Sequence, residues 1–356
     1  MRIAIISPLG RSGGERYSRL LSEALKADIL SAELPILTLW SAVLRGRYDI
    51  VDVQFEYRTF GSHLRSLLAL PILAALLRRP TVGVVTLHGV IERDSLSRER
   101  FGLAKWFVYA VSMRLATALF RLTIVHSQQM RVSLLHYGGS RVVVVPHASG
   151  IVERADGDGF KKKMLFFGFI RPSKGISNLI AGFNIVKETV PDVRLTIAGS
   201  ARGKDDESYL SSLRKMVLDL GLGEAVDFEI GYVSEPAKLA LAKISDFLVL
   251  PYTDRFVEVS GVAHDLAGLG IVLICSDTPR FSEFRDGFDC LKVGASPEAI
   301  ADALKQLLSN PAQAEALSRN LADFALATSW ERVRDMRMQL YERLIHLNSR
   351  FHLANT

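Results

Sequence analysis

The residues best suited to chemistry lie in Met164–Ile180, MLFFGFIRPSKGISNLI. An apolar run, Met164–Phe167, meets Gly168; Arg171 and Lys174 follow, then Gly175, then a helical pattern of Ile176, Leu179, Ile180 and Phe183. This spacing predicts a strand ending in a loop with two cations, and the loop opens a helix. The unbonded N–H groups and dipole of a helix N-terminus already favour an anion. Two cations beside a glycine that admits close backbone approach point to a diphosphate. Further polar residues stand at the ends of apolar runs: His88 in VVTLHGV, His126 and Ser127 after Leu122, and His147 after Pro146. Polar residues at strand ends face the ligand crevice of a parallel α/β sheet. His126, Ser127 and His147 serve equally well as loop caps, and both readings stand.

The elements that must hold these residues are short apolar strands alternating with longer helical patterns. Strands are expected at Arg2–Ser7, Ile50–Gln54, Val82–Leu87, Leu122–His126 and Val142–Pro146, with helices such as Gly14–Leu25 and Leu103–Phe120 between them. The polar segment Ile151–Lys163 breaks the pattern and reads as a linker. Strands resume at Lys163–Phe167, Arg194–Gly199, Val226–Ile230, Phe247–Leu250 and Val272–Ser276. Helices there include Ile176–Val190, Glu207–Leu220, Pro236–Lys243 and Pro297–Ser309, and an amphipathic helix closes the chain from Ser329. Continuous apolar strands alternating with helices mean parallel sheets covered on both faces. The expected architecture is α/β, with two tandem Rossmann-like doubly wound domains facing across a cleft. The domains would be residues 1–152 and 160–328, the second carrying the diphosphate loop, with 329–356 packing back toward the first.

Composition supports this and removes other classes. The 356 residues are 49% hydrophobic and 23% charged, as expected of a folded chain of two ordinary domains. The charge is divided: residues 1–150 hold 19 Lys+Arg, 17 of them Arg, against 10 Asp+Glu, whereas residues 151–356 hold 25 against 28. The basic half suggests an anionic partner. Cys275 and Cys290 have neither metal nor redox spacing, so a reducing compartment is the default. MRIAIISP reads as a first strand rather than a signal peptide. The longest apolar run, Leu67–Leu77, is too short to span a bilayer. Asp156-Gly157-Asp158 lies in the polar linker and is set aside as a metal motif, and no nucleophile elbow is present. No recognition module for nucleic acid appears.

Several segments, in order, resemble the retaining glycosyltransferases of the GT-B fold, family 4 (glycosyl transferases group 1). They are His126–Ser149, FFGFIRPSKG, Leu195–Ala201, Val226–Tyr252 and Ser260–Phe284. The resemblance implies a metal-independent enzyme with no cofactor. It would move a hexose from a nucleotide-diphosphate sugar of the GDP-mannose or UDP-glucose type to a glycan or lipid-linked acceptor. Arg171 and Lys174 would stabilise the departing diphosphate, and His88 would sit at the reacting centre. Gly13-Gly14, with Arg11 beside them, resemble the family's first glycine-rich loop, and Gly168 its diphosphate loop. Ser260, Gly261 and Val262 would offer N–H groups to the sugar or phosphate, and a loop around Tyr232 would set base preference. The chain departs from the pattern at two places. Phe169 fills the position where the family often has an arginine. The two acids of the donor-sugar motif become Glu258, for sugar hydroxyls, and Asp265, for the ribose, with six residues between them rather than seven.

The altered acids leave other readings open: a degenerate domain that binds a nucleotide sugar without turnover, or another GT-B enzyme such as an epimerase. A Rossmann oxidoreductase is disfavoured because no GxGxxG follows the first strand. Two basic apolar segments, Ser62–Pro80 and Arg100–Leu122, read either as helices buried against the first sheet or as a peripheral contact with an anionic membrane. The expected location is cytoplasmic, with the inner membrane face as the peripheral alternative.

Overall fold

The computed structural model describes residues 1–8, 13–57, 59–77, 81–92, 102–150, 152–153 and 162–353. The chain divides into two compact units. The first holds residues 1–147, 256–259 and 330–356, and the second holds 148–255 and 260–329.

The first unit is built on β1 (Ile3–Ser7), β2 (Asp28–Ser31), β3 (Ile50–Phe55), β4 (Val82–Leu87), β5 (Gly89–Val90), β6 (Leu122–Val125) and β7 (Val142–Val144). Its six-stranded sheet is parallel in the order β2-β1-β3-β4-β6-β7. Every residue of β1, β3 and β4 is buried, so their continuous apolar sequence is explained by helices on both faces. The final helix, Trp330–Leu353, is tied to this sheet by a buried charge pair. Arg337 Nη1 donates to Asp52 Oδ2 at 2.6 Å, and both side chains are fully buried. The hydroxyls of Tyr341 and Thr86 donate to the same carboxylate at 2.7 and 2.9 Å. A charge so enclosed is tolerable only while its partners remain.

The second unit contains β8 (Lys163–Phe167), β9 (Arg194–Gly199), β10 (Val226–Ile230), β11 (Phe247–Leu250), β13 (Val272–Ser276) and β14 (Leu291–Val293), in the order β10-β9-β8-β11-β13-β14. The strand order reverses between β8 and β11 here, and between β1 and β3 in the first unit. Such a switch point opens a crevice beyond the carboxyl ends of the strands. The intervening β12 (Val257–Glu258) pairs antiparallel with β5 and belongs to the first unit.

All five strands expected in the second half lie where the apolar runs placed them. The expectation omitted β2, β14 and the β5–β12 ladder. These have two to four residues each, and β2 is exposed or half-buried throughout, so none carries a readable apolar pattern. Of the segment read as a linker, residues 151 and 154–161 lie outside the described residues, the Asp156–Asp158 string among them. Among the described residues no helix is long and apolar enough to cross a membrane.

Candidate functional site

In the second unit, β8 ends at Gly168, and the chain makes a short turn at Pro172–Lys174 before the helix Ile176–Lys187. Gly175 joins turn to helix at φ +66, where a β-carbon would stand 2.0 Å from the Pro251 carbonyl oxygen. Gly199 is equally constrained: its β-carbon would stand 1.8 Å from the Gly168 oxygen. The β8 loop is therefore pressed between the ends of β9 and β11, and the Thr253 N–H donates to the Ser173 carbonyl at 3.0 Å. This packing carries Lys174 into the switch point. Lys174 is only 9% exposed, and its Nζ lies 3.6 Å from the centre of the Tyr252 ring. A cation so placed is attracted to the negative face of the ring.

Arg280, which the sequence pattern did not single out, joins this group. It is buried, its guanidinium lies 5.4 Å from the same ring, and Nη2 donates to Asp254 at 2.6 Å. Arg171 has a different neighbourhood. It is 41% exposed, stacks at 5.1 Å on Phe169 and stands 4.0 Å from Asp206. Arg202 covers that ring too, at 4.0 Å. Phe169, in the place of the expected arginine, thus becomes a platform for two guanidinium groups. Arg171 and Arg202 line an open depression of about 510 Å³ beside the N-terminus of the helix Lys204–Asp219.

Ser260 caps the helix Gly261–Leu266, its Oγ accepting the Ala263 N–H at 3.4 Å; Val262 in its first turn is half-buried. Asp265 is held by Lys238, whose Nζ lies 2.8 Å from Oδ2 and 2.9 Å from Glu235. Tyr232 is 77% exposed beyond β10. A serine–histidine–acid chain also lies in this unit: Ser149 Oγ to His264 Nδ1 at 3.2 Å, and His264 Nε2 to Glu283 at 3.1 Å. Ser149 and His264 are each 1% exposed, so the chain is a buried structural network and not a nucleophile. Burial holds His264 at about 4 and pushes Glu283 up to about 8.

The first unit gathers three histidines, His88, His126 and His147, at the carboxyl ends of β4, β6 and β7. His88 and His126 rings lie 4.9 Å apart, and Tyr17 packs on His88, His126 and His147 at 4.5–5.5 Å. His126 is buried and bonded through Nδ1 to the Val145 carbonyl at 3.0 Å, and Ser127 caps the following helix by accepting the Met130 N–H. Of the two readings open for Ser127, capping is therefore what the structure displays. His88 is half-buried, with Nε2 3.0 Å from Gln54 Oε1. Burial, then His147 and Arg337 nearby, holds His88 at about 3, so it is neutral across the ordinary pH range. Gln54 and Tyr17 are polar groups that sequence reasoning missed; Gln54 was already marked as the last residue of an expected strand.

Glu258 faces Gly89 in the β5–β12 ladder, one residue from His88. It belongs to the first unit and Asp265 to the second, so the two acids that the resemblance pairs are assigned to different units. Gly14 opens the helix Gly13–Leu25, and a β-carbon on it would stand 1.9 Å from Glu56 Oε1. Arg11 lies outside the described residues. Among the described residues no group of three or more His, Cys, Asp or Glu could hold a metal ion. Cys275 and Cys290 are buried free thiols.

Residues 153–323 match the model of the family described as glycosyl transferases group 1. Solved structures share the fold at low identity. HepE of Anabaena in complex with UDP superposes with a TM-score of 0.75 at 15% identity, covering 96% of this chain and all of that one. Sucrose-phosphate synthase of Thermosynechococcus elongatus gives 0.75 at 18% identity, covering 98% of this chain and all of that one. Among curated proteins, a GDP-mannose-dependent alpha-(1-6)-phosphatidylinositol monomannoside mannosyltransferase of Mycolicibacterium smegmatis is 31% identical over 131 residues, 36% of this chain and 31% of the relative. Mannosylfructose-phosphate synthase of Agrobacterium fabrum is 33% identical over 95 residues, 26% of this chain and 21% of the relative. The matched stretch thus spans a third or less of either curated relative. The chain thus has two parallel six-stranded sheets of GT-B type, and its residues 153–323, a little under half of it, are similar to the glycosyl transferases group 1 family.

Proposed function

We propose that the protein is a retaining, metal-independent hexosyltransferase that takes a nucleotide-diphosphate sugar as donor and a glycan or lipid-linked molecule as acceptor. The observation that carries this reading is the switch point of the second unit, where Lys174 is buried against Tyr252 with Arg280 beside the same ring. Negative charge grows on the leaving diphosphate as the glycosidic bond breaks. A fixed, poorly solvated cation stabilises that charge more than it stabilises the bound donor. GDP-mannose is the preferred donor candidate, since the mycobacterial relative uses it; UDP-glucose is the second. In this reading the first unit engages the acceptor, with neutral His88 and nearby Glu258 handling its hydroxyl. The leaving phosphate would help to take the proton during same-face attack, so no protein nucleophile is needed.

The engagement of Asp265 by Lys238 favours one competing reading, in which the second unit binds a nucleotide sugar without turnover. Calorimetric titration and thermal shift against GDP-, UDP- and ADP-sugars, with Lys174→Ala in parallel, separate the cases. The transferase reading expects saturable binding of one donor, weakened in the variant, with slow release of nucleoside diphosphate when no acceptor is present. Binding without any release supports the non-catalytic reading. No response to any donor rejects both. Retention is read from the anomeric configuration of the product, and metal independence from turnover in chelator.

A further inference from the structure

The helix Gly102–Leu119 in the first unit has its polarity inverted. Its buried face carries Ser112, Ala116 and Thr117 along with Tyr109 and Met113. Its outward face carries Leu103, Phe107, Val111 and Leu115, spaced four residues apart in a single stripe and each 40–65% exposed. A helix on a water-facing domain normally turns its apolar stripe to the core and its polar residues to solvent. The neighbouring helix, His63–Leu76, repeats the arrangement with Leu64, Leu68 and Ile72, each more than half exposed. The two helices pack side by side, with the Ser112 hydroxyl donating to the Leu67 carbonyl, so the stripes belong to one helical layer. An apolar surface of this extent marks an interaction site.

Its charges identify the occupant. Neither helix contains an Asp or Glu, whereas Arg65, Lys105 and Arg114 are exposed on them. The sequence holds no acidic residue between Glu99 and Glu153. A protein partner is ordinarily met by a surface of mixed charge; among the described residues the two helices themselves carry cations only. Arginine and lysine stems can lie along apolar surface while their heads reach phosphate. We propose that this layer docks the protein on an anionic membrane, its apolar stripes entering the interface and its cations meeting lipid phosphates. The helices lie in the plane of the surface and do not cross it. This goes beyond the transferase reading and identifies the face on which a lipid-linked acceptor would be met.

The test is flotation of the purified protein with phosphatidylcholine vesicles, with and without phosphatidylglycerol, in the absence of donor and acceptor. It therefore succeeds or fails independently of the transferase reading. Wild-type protein is expected to partition at least about tenfold more onto the anionic vesicles, and to lose most of that at high salt. Phe107→Asp and Leu68→Asp, at exposed positions, should each abolish partition without lowering the melting temperature or donor binding. Lys105→Glu should weaken it on anionic vesicles. Absence of partition, or equal partition onto neutral vesicles, overturns the proposal. A dimer that forms without lipid and dissociates in Phe107→Asp also overturns it, since a second copy would then cover the face.

Discussion

His88 and Lys174 are each packed against an aromatic ring, but in different surroundings. Lys174 lies over the Tyr252 ring at 3.6 Å. Its replacement by methionine keeps the packing and removes the charge. The expected result is a loss of about 10²–10³ in kcat, the range seen when one group stabilising a developing anion is deleted, with little change in melting temperature. His88 is kept neutral by burial and by the nearby Arg337, and its bond to Gln54 fixes the ring. An anion in place of that amide would favour the imidazolium. In Gln54→Glu, the acid limb of the pH–rate profile should therefore move up toward neutrality. In Gln54→Leu, kcat should fall while the limb stays low. A profile identical to wild type in both variants would remove Gln54 from the positioning of His88.

The β8 loop works because its glycines let three strand ends meet. In Gly175→Ala, the new carbon meets the Pro251 carbonyl at 2.0 Å from a left-handed backbone position, so backbone must move. A loss of at least about 2 kcal/mol is expected in urea unfolding, together with weakened donor binding. Much of this loop could be read from sequence, because an apolar run, a glycine, two cations and a helical pattern are contiguous. The sequence could not show that its cations part company, since Phe169 recruits Arg202 from the next loop and Tyr252 comes from the distant loop that follows β11. Asp52 and Arg337 were equally hidden: 285 positions separate them, and each sits in an element whose local pattern is complete without the other. Arg337→Met should cost about 3–5 kcal/mol, because it strands the Asp52 charge, and pairing it with Asp52→Asn should recover part of that loss.

At the scale of the whole molecule, buried groups that resist their usual charge state make stability depend on pH in both directions. His88 and His264 are held at about 3 and about 4, and His126 also lies well below the ordinary imidazole value of 6.5. As pH falls below 6.5, the unfolded chain takes up protons that these folded imidazoles refuse, so the stability they contribute is lost. Glu283 acts in the opposite sense. The folded protein keeps its proton up to about 8, while the unfolded chain releases it near 4.5, so its contribution is lost as pH rises through that window. Each group changes stability by at most about 1.4 kcal/mol per pH unit. Between 4.5 and 6.5 three imidazoles oppose one carboxyl, and stability rises with pH. Above 6.5 the carboxyl acts alone, and stability declines until about 8. Urea midpoints should therefore peak near pH 6.5. Glu283→Gln keeps a neutral side chain beside His264 Nε2 and removes the ionisation, so its midpoint should stay level from 6.5 to 8 while the acid side is unchanged. An alkaline decline equal to wild type in that variant would place the responsible group elsewhere.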